Sequence, residues 1–133
     1  MICLDTSFII DLLRNNREAV VAAQELENEH FITTEINVYE LLVGLYKNEN
    51  HERVRVEREA LSELLDRLSV FTLDRRASDQ SARISAELSR KGQRVDPPDV
   101  LISGIMLANG CSEIITRNTE HFERISSLLV RAY

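Results

Sequence analysis

Short apolar runs alternate with longer segments of helical period along the whole chain, and this alternation constrains the fold more than any other feature. MICLD at the start, HFITT at His30–Thr34, Ser69–Leu73, Ser112–Thr116 and Leu128–Arg131 read as strands. Between them the spacing predicts helices over Ser7–Arg14, Gln24–Glu29, Glu35–Lys47, Glu52–Leu68, Arg75–Lys91, Val100–Ala108 and Thr119–Ser126. In the third of these, Ile36, Tyr39, Leu42, Val43 and Tyr46 form an apolar stripe. Strands that alternate with helices imply an α/β domain whose mostly parallel sheet is covered on both faces. The length of 133 residues fits one domain, residues 1–133. Ligands of such sheets bind outside the carboxyl ends of the strands, where strand order reverses. The residues that follow each strand are therefore the first candidates for function.

Composition removes several alternatives. Charged residues make up 29% and hydrophobic residues 44%, which excludes a disordered chain, and 4 Gly with 2 Pro leave no flexible linker. No apolar run approaches the roughly 18 residues that span a bilayer. No basic stretch precedes the first apolar residues, so neither a membrane anchor nor a signal peptide is expected. Cys3 and Cys111 are too few for a metal cluster and read as reduced core thiols of a cytoplasmic protein. A net charge of −6 would argue against a nucleic-acid partner if it were spread evenly. Acids that converge on one site would instead bind cations there and leave the basic residues to act elsewhere.

Asp5 ends the first strand and is followed by Thr6 and Ser7, so it can be a helix cap or a ligand, with two further hydroxyls available for capping. Glu40 shares a helix face with Ile36 and Val43 and should point toward the domain or its cleft. An uncompensated carboxylate there costs several kcal/mol, so it needs a cation, hydrogen bonds or a proton. Asp96 and Asp99 bracket two prolines at a helix start, where capping and the helix dipole both favour acids. Asp99 is also in step with Ile102 and Met106, on the inward face. Asn118 lies in the turn TRNTEHF after the fourth strand, with Thr119 as the cap of the last helix. Asp74 reads as a cap, and Asp11 as a solvated ion pair with Arg14. His30, His51 and His121 have neither zinc-site spacing nor a partner nucleophile and read as structural or surface residues. Carboxylate and amide oxygens without imidazole or thiolate suit Mg²⁺ or Mn²⁺. Such ions polarise a phosphoryl oxygen and make a bound water nucleophilic near neutral pH.

The segments LDTSFIIDLL, TTEINVYELLVG, DPPDVLISGIMLANG and IITRNTEHF, in that order, resemble the motifs of the PIN domain, most closely those of VapC-type ribonuclease toxins of prokaryotic toxin–antitoxin pairs. The resemblance covers nearly the whole chain. It implies a PIN-like three-layer sandwich with a five-stranded parallel sheet. It also implies metal-dependent endoribonuclease activity that leaves a 5′-phosphate and a 3′-hydroxyl. The strand-one aspartate of the family matches Asp5, with Thr6 or Ser7 as its adjacent hydroxyl. The glutamate of the E-L-x-x-G helix matches Glu40, with Gly44 in place. The aspartate of D-x-x-I-A-A matches Asp99, although Ser103 and Gly104 here replace the two alanines. Thr116 and Asn118 match T-x-N/D. By this resemblance Asp5, Glu40 and Asp99 hold Mg²⁺ or Mn²⁺ and Asn118 is a weaker ligand acting through water; Asp96 matches no position of the family motifs and is expected as an auxiliary acid at the metal. Asp5 is then a ligand, and capping falls to Thr6 or Ser7.

The implied partners are RNA, a small antitoxin whose C-terminal segment lies in the active-site groove, and a second copy of the chain. RNA phosphates need local cations. Arg14, Arg17, Arg90, Lys91, Arg94 and Arg117 are candidates, with Arg94 and Arg117 favoured by their nearness to Asp99 and Asn118, and Thr6 and Thr116 complete the expected substrate contacts. A PIN-like binding module without catalysis and another Mg²⁺-dependent phosphohydrolase remain as alternatives. A HAD-like phosphatase would need a second aspartate at position 7, where Ser7 stands.

Overall fold

In the computed structural model, which describes residues 1–133, five short strands form one sheet. They are β1 (Ile2–Leu4), β2 (Phe31–Thr34), β3 (Ser69–Phe71), β4 (Glu113–Ile115) and β5 (Leu129–Arg131), in the order β3-β2-β1-β4-β5. All four pairings are parallel. Strand order reverses between β1 and β4, and the register pairs Leu4 with Ile115 there. The residues that follow, Asp5 and Thr116, thus leave the sheet side by side at the switch point.

The pleat sorts the core. Ile2, Leu4 and Ile115 face one side, with Phe8, Ile9, Ala19, Leu41 and Leu61. Cys3, Ile32 and Ile114 face the other, with Ile102, Met106, Cys111 and Phe122. The first side is covered by α1 (Thr6–Leu13), α2 (Arg17–Glu25), α3 (Glu35–Tyr46) and α4 (His51–Leu65). The second carries α5 (Arg75–Arg90), α6 (Pro97–Ala108) and the short α7 (Thr119–Glu123). This is the expected three-layer α/β sandwich, with helices on both faces of the sheet. No helix is long and apolar enough to cross a membrane.

Asp74 caps α5 as expected, its Oδ1 accepting from the Ala77 N–H at 2.9 Å. Gly92 and Gly110 follow two helix ends at φ of +66° and +76°, conformations that glycine adopts freely. Helices α5 and α6 approach so closely that a Cβ built on Gly104 would stand 1.8 Å from Ser81 Oγ.

Four expectations are corrected. The second helix runs over Arg17–Glu25, not Gln24–Glu29, because Asn16 caps it by accepting from the Ala19 N–H at 3.1 Å. The cap position of α1 is Asp5, not Thr6 or Ser7, yet the Asp5 side chain makes no capping bond. The cap position of α7 is Asn118, not Thr119, and its side chain likewise makes no capping bond. The stripe of α3 faces outward in large part: Tyr39 is 67% exposed and Tyr46 51%, while the buried residues are Asn37, Leu41 and Leu45. The inward face of this helix is part polar because it lines the site.

Candidate active site

The site forms where the carboxyl ends of β1, β2 and β4 meet the start of α6. Asp5 is buried and bonded through both carboxylate oxygens. Its Oδ1 accepts from Asn37 Nδ2 at 3.1 Å, and its Oδ2 accepts from the Thr116 hydroxyl at 2.6 Å and, more weakly, from Ser7 Oγ at 3.4 Å. Glu40 is half-buried, and its Oε1 accepts from the Thr6 hydroxyl at 2.7 Å. Thr116 Oγ1 also accepts from the Asn118 N–H, and Ser7 Oγ from the Arg117 N–H, so the β4–α7 turn is stitched to the start of α1.

Across the site, Asp99 lies in the first turn of α6 and is buried. His121 Nδ1 stands 2.9 Å from its Oδ2, and Asn118 Nδ2 is 3.5 Å from the same oxygen. Asp96, at the cap position of α6, is exposed and makes no side-chain capping bond. Asp96, Asp99 and His121 bring ligand atoms within 4.8 Å of one another, and Asp5 and Glu40 stand outside that group.

The acids feel one another. Burial pushes the Asp5 carboxyl above its ordinary value against the Thr116 bond, and the charge of Asp99 pushes it further. Burial likewise raises Glu40 against the Thr6 bond, with the charges of Asp5 and Asp99 adding to it. Burial raises Asp99, opposed by His121 and reinforced by Asp96.

A family model described as PIN domain matches residues 2–128. The chain belongs to the PIN-domain family. It is 31% identical over 127 residues to the "tRNA(fMet)-specific endonuclease VapC" of Salmonella typhimurium, covering 96% of this chain and 93% of that one. To the protein of the same description from Shigella flexneri it is 30% identical over 125 residues, covering 94% and 92%. Among solved structures it resembles DNA-bound VapBC from Salmonella typhimurium, with a TM-score of 0.85, 27% identity, and coverage of 98% of this chain and 96% of that one.

In this PIN domain the donors on Asp5 and Glu40 are all neutral: an amide and three hydroxyls. Three mutually repelling carboxylates therefore have no lysine or arginine bonded to them, and their hard oxygen set fits a divalent ion. The expected residues Asp5, Thr6, Glu40, Asp99, Thr116 and Asn118 gather here, and Asp96 adjoins them. Arg94 is exposed, and only its backbone carbonyl is engaged, by Arg124 Nη1. The Arg117 guanidinium is turned away from the acids. Its Nε donates to Asp11 Oδ2 at 2.5 Å and to the Tyr133 hydroxyl at 3.2 Å. Asp11 thus pairs with Arg117, not with Arg14 as expected.

Two residues of the site were not expected there. His121 reads from the sequence as a structural or surface residue, although it stands one helical turn after Asn118, a spacing that returns it to the same side. Asn37 gave one signal, a polar residue three positions before Glu40 and three after the capping Thr34.

Proposed function

We propose that this PIN domain, as one unit of residues 1–133, is an endoribonuclease that depends on Mg²⁺ or Mn²⁺ and serves as the toxin of a toxin–antitoxin pair in the cytoplasm. The observation that carries the reading is the meeting of Asp5, Glu40 and Asp99, from three separate parts of the sequence, at the β1/β4 switch point without a lysine or arginine between them. The printed names of the relatives and of the VapBC neighbour support the activity and the antitoxin partner.

Asp5, Glu40 and Asp99 would hold the ion, with Asp96 as an auxiliary acid and Asn118 acting through water. The bound ion supplies Lewis-acid polarisation of a phosphodiester and a nucleophilic water at neutral pH. Thr6 and Thr116 spend their hydroxyl protons on Glu40 and Asp5, which favours them as orienting groups over direct RNA contacts. Arg94 is free to meet a phosphate, whereas Arg117 must first leave Asp11. The exposed stripe of Tyr39, Val43 and Tyr46 on α3 supports a second copy as partner.

The test is cleavage by the purified chain of tRNA, the substrate class for which the two relatives are named, with Mg²⁺, Mn²⁺ or EDTA. Metal-dependent cleavage that Asp5→Asn abolishes is expected. Equal cleavage by Asp5→Asn would overturn the assignment of Asp5 and with it this reading of the site, and no cleavage with either ion would leave a PIN-like binding module in its place.

A further inference from the structure

Asn37 is fully buried, and no polar atom of its side chain is idle. Its carbonyl Oδ1 accepts from the Thr34 hydroxyl at 2.7 Å and from the Thr34 N–H at 3.3 Å. The Thr34 hydroxyl in turn accepts from the Asn37 N–H, which closes the capping box of α3. With its oxygen committed to Thr34, the amide must present its Nδ2 to the site. That nitrogen has two protons, and each has a partner: Asp5 Oδ1 at 3.1 Å and Thr6 Oγ1 at 3.1 Å. Thr6 has one hydroxyl proton. Having accepted from Asn37, it gives that proton to Glu40 Oε1 at 2.7 Å.

The polarity of the whole chain of bonds therefore follows from the capping box. Reversing the Asn37 amide would set its oxygen against the Asp5 carboxylate and its NH₂ against the Thr34 N–H. We propose that Asn37 is the positioning residue of the site: one amide, oriented by the cap of α3, sets the carboxylate of Asp5 directly and that of Glu40 through Thr6. The helix cap and the acid site are a single hydrogen-bonded unit. This inference rests on the metal-dependent reading for its consequence, but the relay exists in the metal-free chain and is tested there.

The variant is Asn37→Leu, which has the same branched heavy-atom outline though a larger volume, lacks both donors, and keeps the Thr34 hydroxyl bond to the backbone of α3. Carbon-detected NMR of the side-chain carboxyls reads Asp5 and Glu40 without metal. Both resonances are expected to move, although Asn37 does not touch Glu40. Thr6→Val, at a half-buried position, should move Glu40 and leave Asp5 nearly in place; this second variant tests the last link of the relay should Asn37→Leu fold poorly. Mn²⁺ titration should then show affinity weakened by about 10–100-fold in Asn37→Leu, the usual effect of removing a partner that orients a ligand. A Glu40 resonance that stays put in folded Asn37→Leu, or in Thr6→Val, overturns the relay, and unchanged Mn²⁺ affinity in folded Asn37→Leu overturns the positioning role. Wild-type protein that binds no Mn²⁺ would sink the metal reading instead, while the two resonances still judge the relay.

Discussion

The two banks of the acid site are built differently. On the β1–α3 bank, Asp5 and Glu40 are met by short bonds from Thr116, Asn37 and Thr6, and Asn37 and Thr116 are themselves fully buried. On the α6–α7 bank, Asp99 has one short contact, to His121, and one long one, to Asn118, while Asp96 stands in solvent. The first bank has its geometry fixed by neutral donors before any cation arrives. The second has fewer bonds to hold it and, on the proposed reading, would be the adjustable one. On the proposed metal-binding reading, the fixed pair would define the position of the ion and the looser group would close on it.

On the second bank the largest effect should come from removing the acid whose charge also reaches the first. Asp99→Asn is expected to lower RNA cleavage about 1000-fold, the scale of the several kcal/mol that a well-held metal contributes. Asp96→Asn should cost about 10-fold or less, because its carboxylate is exposed and unbraced. Equal losses from the two, measured as kcat/KM on one RNA, would erase the distinction between a ligand and an auxiliary acid.

The adjustable bank hangs on α6, and α6 hangs on a close approach. A methyl at position 104 would stand 1.8 Å from Ser81 Oγ and 2.8 Å from Ser81 Cα, which is too near for a side-chain rotation alone to relieve. Gly104→Ala should therefore destabilise the fold by about 1–3 kcal/mol, measured by urea unfolding. Ser81→Gly should recover part of that loss in the double mutant. A double mutant no better than Gly104→Ala would mean that the two helices do not meet at this pair.

Much of this was legible in the residues. The order of strands and helices follows from their periods, and four motifs place Asp5, Glu40, Asp99 and Asn118 at the rim. Glu40 was placed correctly by an incomplete argument. The apolar stripe used to orient α3 is largely exposed, and the inward face is marked instead by a buried amide, Asn37, that hydropathy counts as polar. The cap of α1 was misread for a related reason. Asp5 has the backbone of a cap, but its carboxylate is drawn to Asn37 and Thr116, 32 and 111 residues away. Asp11 likewise found its partner in Arg117, 106 residues distant. Local spacing carries no signal of such pairings, and they fix the site.

His121 offers a finer way to compare the banks. His121→Ala removes the one short contact on Asp99, and a loss of about 10-fold in Mn²⁺ affinity is expected by calorimetry. That is the low end of the range expected for Asn37→Leu. A larger loss from His121→Ala than from Asn37→Leu would reverse the assignment of which bank defines the position.

The smallest effect is on stability and has a definite sign. Burial holds the Asp99 carboxyl above its ordinary value in the folded chain. Between the ordinary carboxylate range and that raised value, the folded state keeps a proton that the unfolded state has released. In that window ν_N exceeds ν_U for this group, so its contribution to stability falls as pH rises and is recovered as pH falls. Asp99→Asn removes the penalty at neutral pH, and without divalent ions the variant should melt roughly 2–4 °C higher than the wild type. The advantage should shrink on acidification toward the ordinary carboxylate range, as the wild-type carboxyl takes up its proton. It should shrink at neutral pH when Mn²⁺ is added, because only the wild type gains the ion's compensation. A variant that melts lower than the wild type at neutral pH without metal would show that the contact with His121 outweighs the repulsion among the acids, and the second bank would then be as firmly held as the first.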